Sequence, residues 1–187
     1  MRLFLTAIIA CCAISVLAAP LSTQHKTLKP SKDTFYTASN SFESKPQGSS
    51  PYLIAYDNAG VRSFTLIAFD LPQEVIGNSS RVAKCTMTLG KFAFPPTGSV
   101  NIFLTATSAG WDEKTVSGLN APAVMGETVQ IVVTDTLVPI TFDSTYLCSV
   151  AASSGGGSMS VRLDSPQALY STASRENGGQ ASLLIEY

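Results

Sequence analysis

The chain has 187 residues, 13% of them charged, and a formal net charge of −1. That length suits one domain with a sizeable core. A near-neutral chain with no basic block gives no electrostatic footprint for nucleic acid, so that partner is not expected.

The N-terminus sets the compartment. Met1-Arg2 is a short positive start, and Leu3 to Leu17 is apolar except for Thr6 and Ser15. Val16-Leu17-Ala18 follows with small residues suited to a signal peptidase, so residues 1–18 are expected to be a secretory signal peptide cut after Ala18. The run is short for a membrane span of ~20 residues, and no later stretch is long and apolar enough to cross a bilayer. The expected product is secreted and extracellular, with no membrane attachment after cleavage. Losing the leader removes one arginine and leaves 11 basic against 13 acidic residues. It also removes Cys11 and Cys12. Cys85 and Cys148 remain, and in an oxidising compartment a single disulfide is the natural reading. The alternative is a pair of free thiols, catalytic or metal-binding. One histidine in the whole chain argues against it.

Residues 19–32 are polar with two prolines and read as a flexible lead-in. A single β-sandwich domain is expected over 33–187. Asp33 to Ser39 alternates weakly and is a first strand. Asn40 to Pro51, rich in Ser, Gly and Pro, is a loop. Tyr52 to Asp57 is a second strand, and Asn58-Ala59-Gly60 is a turn. The turn leads into Val61 to Pro72, the longest run of strand-type residues. Both parities of that run are apolar, so it is expected to be a central strand covered from both sides.

Pro72 to Ser80 is a turn holding Asn78-Ser79-Ser80, an N-glycosylation acceptor. Strand character resumes over Val82 to Phe94, with Gly90 as a bend, and over Val100 to Thr107. It returns at Thr128 to Thr134, Val138 to Phe142, Tyr146 to Ala151, Met159 to Leu163, Ala168 to Thr172 and Ser182 to Tyr187. About ten short strands, with turn signals every 8–12 residues or so, indicate an all-β antiparallel sandwich or barrel.

Several local features occur in a telling order: Asp33-Thr34-Phe35-Tyr36; Gly48-Ser49-Ser50 before a hydrophobic strand; Arg62 leading to Phe69-Asp70-Leu71-Pro72; Trp111-x-Glu113-x-Thr115-Val116, then Asn120-Ala121-Pro122; and Ser174-Arg175-Glu176 before the last strand. This order resembles the DNRLRE domain, also classed as carbohydrate-binding module family 96, over roughly Asp33 to Tyr187. The family pattern has a second tryptophan in the 116–122 region that this chain lacks, and the cysteine pair is not a general family feature. The resemblance implies an extracellular jelly-roll β-sandwich that binds polysaccharide without catalysis.

The residue chemistry agrees with a binding role. His25 is the only histidine and lies in the lead-in, which leaves no Ser-His-Asp triad on a rigid element. No two acids are spaced as a hydrolytic pair, so an enzyme is not expected. Sugar recognition needs flat aromatic faces and polar forks. Tyr36, Tyr52, Tyr56, Trp111 and Tyr170 are candidate stacking residues, and Arg62 and Arg175 are candidate clamps for a carboxylate. Each also has a packing role open to it. No cofactor is expected apart from a structural calcium ion, for which Asp33, Asp57 and Asp70 have the right oxygens. The reading is a secreted, non-catalytic carbohydrate-binding module for an extracellular or cell-wall polysaccharide. The alternative is a structural or adhesive secreted cell-surface protein with no specific glycan site.

Overall fold

The computed structural model describes residues 23–39 and 43–187; the expected signal peptide lies outside them. Two antiparallel sheets face each other. The strands, in chain order, are β1 (His25–Leu28), β2 (Lys32–Ala38), β3 (Tyr52–Asn58), β4 (Val61–Asp70), β5 (Lys84–Leu89), β6 (Val100–Thr107), β7 (Val124–Val133), β8 (Ile140–Asp143), β9 (Ser158–Asp164), β10 (Tyr170–Ala173) and β11 (Ser182–Glu186). The smaller sheet runs β1-β11-β5-β8, and the larger runs β10-β3-β4-β9-β6-β7 with β2 also on β4. This is the expected antiparallel β-sandwich.

β4 is the hub of the larger sheet. β2 pairs with it over Arg62 to Ala68, β9 over Thr65 to Asp70, and β3 over Val61 to Ser63. β2 shares residues with both of the others, so β3 and β9 must divide the opposite edge between them. The two apolar parities of β4 serve two clusters, as expected for a strand covered on both faces. Ile67 and Phe69 enter the main core with Ile102 and Leu104 of β6, Val161 and Leu163 of β9, Met87 of β5 and Ile185 of β11. Phe64, Leu66 and Ala68 enter a second cluster on the outer face, with Tyr36, Trp111 and Val116. The β3–β4 turn places Ala59 and Gly60 at positive φ, the pairing of a tight hairpin whose twist matches its strands.

Two expectations are corrected. The stretch read as a flexible lead-in contains β1. Its composition is polar because three of its four residues are exposed on a sheet edge. Pairing with β11 and the burial of Leu28 hold it in place. The stretch read as a strand from Tyr146 to Ala151 is a helix, α1 (Thr145–Ser153). Tyr146, Cys148 and Val150 alternate like a strand, but the residues that the fold buries are Leu147, Cys148, Ala151 and Ala152. That spacing is a helical stripe. The Asp143 carboxylate accepts the Thr145 N–H at 2.8 Å and satisfies a donor at the helix start. The Cys85–Cys148 disulfide, with a Cα–Cα distance of 6.5 Å, ties α1 to β5 across 63 residues of sequence.

Candidate functional site

β3 carries the first part of the site. Leu53 and Ala55 are buried in the main core, so the alternate residues Tyr52, Ile54 and Tyr56 point away from it. Tyr52 is 49% exposed, and Leu169, just before β10, is 42% exposed. A depression of about 610 Å³ opens here, with Ile54, Tyr56, Ala168 and Leu169 as its apolar wall and Asp57, Asn58 and Gln167 as its polar lip. Gln167 is held in place because its Oε1 accepts from the Asn101 N–H (2.9 Å) and the Asn101 side-chain amide (3.0 Å). Aromatic and aliphatic surface beside fixed amide and carboxylate groups can stack on a sugar ring and hydrogen-bond its hydroxyls.

Arg62 links this depression to a second one. Its guanidinium pairs with Asp164 through Nη2 and lies 3.6 Å from Asp57 through Nε. The second depression, of about 370 Å³, is lined by Arg62, Arg162 and Asp164 together with Phe103, Thr105, Thr128 and Pro166. Pro166 and Gln167 are consecutive, so the two depressions adjoin. Arg62 and Arg162 both lie over the Phe64 ring, at 4.9 and 4.7 Å from its centre, an arrangement that cation–π attraction favours. Arg162 Nε and Asp164 Oδ1 are buried without a hydrogen-bond partner. Burial, above all, pushes the Tyr36 phenol above its ordinary pKa, while Arg162 pulls it back. With Arg62 and Arg162 facing Asp57 and Asp164, the formal charges cancel. A sugar carboxylate would therefore have to compete with two resident ones for Arg62.

The other candidates are placed elsewhere. Two of the tyrosines cannot stack on a ligand because they are buried: Tyr36 in the outer cluster, and Tyr170 in the main core with its hydroxyl donating to the Gly90 carbonyl at 3.0 Å. Trp111 is 7% exposed in the outer cluster. Its indole N–H donates to the Ser160 hydroxyl at 2.8 Å. Lys32 Nζ sits 4.6 Å above its ring and donates to the carbonyls of Ala109 and Trp111, both at 2.7 Å. The ring is thus enclosed by its own protein. Arg175 pairs with Glu113 through Nε (3.1 Å) and Nη2 (2.7 Å), and its Nε is 3.0 Å from Glu176 Oε1. Asp33 joins this group: its N–H donates to Glu113 Oε1 at 2.7 Å, and its Oδ2 accepts from the Arg175 N–H at 2.8 Å. Burial, chiefly, pushes the Asp33 carboxyl up to about 7.

The three acids considered for calcium do not meet. Asp57 faces Arg62, and Asp70 Oδ1 accepts from the hydroxyls of Ser31 (3.0 Å) and Ser158 (2.9 Å). Of the three, Asp33 falls among the described residues into a cluster with two other carboxylates, those of Glu113 and Glu176. Asn78 is exposed at the start of a short 3-10 turn, Ser79–Arg81, and its Oδ1 accepts from the Ser80 hydroxyl at 2.6 Å. His25 is an exposed residue of β1, 4.0 Å from Glu186.

Arg162, Asp164, Phe103 and Gln167 were not among the residues expected at the site. A signal for two of them existed in the run Ser158 to Asp164, where Met159, Val161 and Leu163 are apolar and Ser160, Arg162 and Asp164 are polar. Strict alternation puts both charges on one face of a strand. Among the described residues no helix is long and apolar enough to cross a membrane.

A comparison with curated proteins finds no match. The sequence profile of carbohydrate-binding module family 96 matches residues 24–187, a span that takes in every strand described above together with the Tyr52–Tyr56 groove and the Arg62 ion pairs. The chain belongs to carbohydrate-binding module family 96.

Proposed function

We propose that this chain is a secreted, non-catalytic module that binds an extracellular or cell-wall polysaccharide along the adjoining depressions of β3 and β9. The observation that carries the reading is the aromatic and aliphatic wall of Tyr56, Ile54 and Leu169 beside the polar groups of Asp57, Asn58 and Gln167, in a member of a carbohydrate-binding family. Tyr52 extends that wall along the strand. Two depressions in series suit a chain of sugars rather than one, because each unit of a polymer occupies its own stretch of groove. The expected leader over residues 1–18 and the Cys85–Cys148 bond both fit export to an oxidising compartment. Asn78, exposed in its turn, fits a glycosylated position.

The test is retention of the disulfide-bonded chain from residue 19 onward on a panel of insoluble and immobilised polysaccharides, neutral glucans and acidic uronans included. The expected result is retention by one class, reduced at least tenfold in Tyr56→Ala and in Tyr52→Ala. Tyr52→Ala should unfold within about 1 kcal/mol of the wild type, since Tyr52 is exposed, whereas half-buried Tyr56 should cost about 1–3 kcal/mol, so retention is measured well below that variant's melting point. Folded protein that is retained by no polysaccharide overturns the reading. Retention that survives both substitutions moves the site off β3.

A further inference from the structure

We propose that Asp33, Glu113 and Glu176 form a binding site for a divalent cation of calcium type. Each offers a carboxylate oxygen, and the three oxygens lie within 4.8 Å of one another. Ligands held at calcium distances of about 2.3–2.6 Å from one ion cannot be much further apart than that. The three residues come from β2, from the loop after Trp111 and from the turn before β11, so only the folded chain brings them together.

The second observation is Asp33 itself. It is 2% exposed, and its Oδ1 is buried with no hydrogen-bond partner, although Oδ2 accepts from the Arg175 N–H. A buried carboxylate oxygen left without a donor is costly, and a cation removes that cost. Arg175 does not fill the role. It engages Glu113 through Nε and Nη2 and approaches Glu176 through Nε, and only its backbone N–H reaches Asp33. One guanidinium thus serves two of the three carboxylates through its side chain, and Lys114 lines the same depression without pairing with any of them. Asp33 Oδ1 is therefore left without a donor beside two further carboxylates.

The surroundings favour a hard ion with irregular coordination. All the donors are oxygens, the preference of calcium and magnesium rather than of softer metals. Two donors are on loops and one on a strand, and calcium tolerates such unequal geometry better than magnesium does. A depression of about 430 Å³, lined by Gly48, Ser49, Glu113 and Glu176 with Lys114 and Arg175 at its side, gives room for waters to complete the shell. Gly48 lets the 46–49 loop close over this point: a Cβ there would lie 1.9 Å from the Glu113 carbonyl oxygen.

The experiment is a calcium titration of the chelator-stripped, disulfide-bonded chain, followed by calorimetry and by thermal unfolding. The expected result is one saturable site with a dissociation constant of about 0.1–1 mM or tighter, and a melting temperature that rises with calcium. Glu176→Gln, at an exposed position, should keep the fold and weaken binding at least tenfold. Glu113→Gln should weaken it similarly, and Asp70→Asn should leave it unchanged. Absence of heat and of any melting shift in the wild type up to about 5 mM calcium overturns the proposal. So does wild-type affinity in both glutamine variants.

Discussion

Replacing Trp111 separates a packing role from a ligand role. Trp111→Ala removes an indole that is 7% exposed, its hydrogen bond to Ser160, and the ring beneath Lys32. Truncating a buried tryptophan costs about 3–5 kcal/mol. For a domain of this size that is a fall of roughly 6–20 °C in melting temperature. Trp111→Phe keeps an aromatic ring under Lys32 but loses the N–H donor. Ser160 keeps its contact with the Thr107 hydroxyl at 2.7 Å, so no hydroxyl is left wholly unpartnered, and the expected cost is about 1–2 kcal/mol. Urea unfolding at fixed temperature with the disulfide intact measures both losses. Polysaccharide retention is then measured well below the variants' melting points. Both should retain polysaccharide as the wild type does. Loss of retention in Trp111→Ala, with unfolding free energy within about 1 kcal/mol of the wild type, would refute the reasoning and make the ring a ligand contact.

Removing the disulfide with Cys85→Ala and Cys148→Ala should cost about 4 kcal/mol, from the chain entropy that a 63-residue separation restores to the unfolded state. The urea m-value should rise with it, and a cost under about 1 kcal/mol at constant m would refute the account. Gly48→Ala should destabilise the chain measurably by thermal unfolding, since the added methyl group meets Glu113 backbone rather than a flexible side chain. The Asp143 carboxyl is held below the ordinary carboxylate range chiefly by the Thr145 hydroxyl and then by the Thr145 N–H. Its contribution is therefore present above the unfolded pKa and lost as pH falls through the lower folded value. Asp143→Asn should flatten the acid side of the stability curve below about pH 4 and leave it unchanged in shape at neutral pH.

β4 was legible because its two apolar parities announced two buried faces, and the structure supplies a separate cluster for each. The Cys85–Cys148 pairing followed from setting aside the two thiols of the expected leader. β1 was hidden because an edge strand with one buried residue needs no apolar pattern. Its order comes from β11, at the far end of the sequence. α1 was hidden because nine residues with Tyr, Val and Thr satisfy strand propensity as well as helix propensity. Burial on one helical stripe and the bond to β5 decide the outcome. At the candidate site, the tyrosines of β3 and Arg62 were visible as residue types, but Asp164 and Arg162, which Arg62 meets there, lie about a hundred residues on. Asp33, Glu113 and Glu176 are likewise scattered, and only the topology assembles them.

The position of β11 has a consequence for biogenesis. It comes after every other described strand in chain order, yet it is an interior strand of the smaller sheet, with β1 on one side and β5 on the other. Until residues 182–186 emerge from the ribosome, β5 can hold β8 but has an open edge, and β1 has nothing to pair with. The nascent chain therefore passes through a stage in which Met87 and Leu89, fully buried in the finished fold, sit beside an unfilled slot. Open strand edges next to apolar surface invite intermolecular pairing. Helpers that shield that slot, and expression conditions that slow the accumulation of unfinished chains, should therefore govern how much soluble protein is recovered.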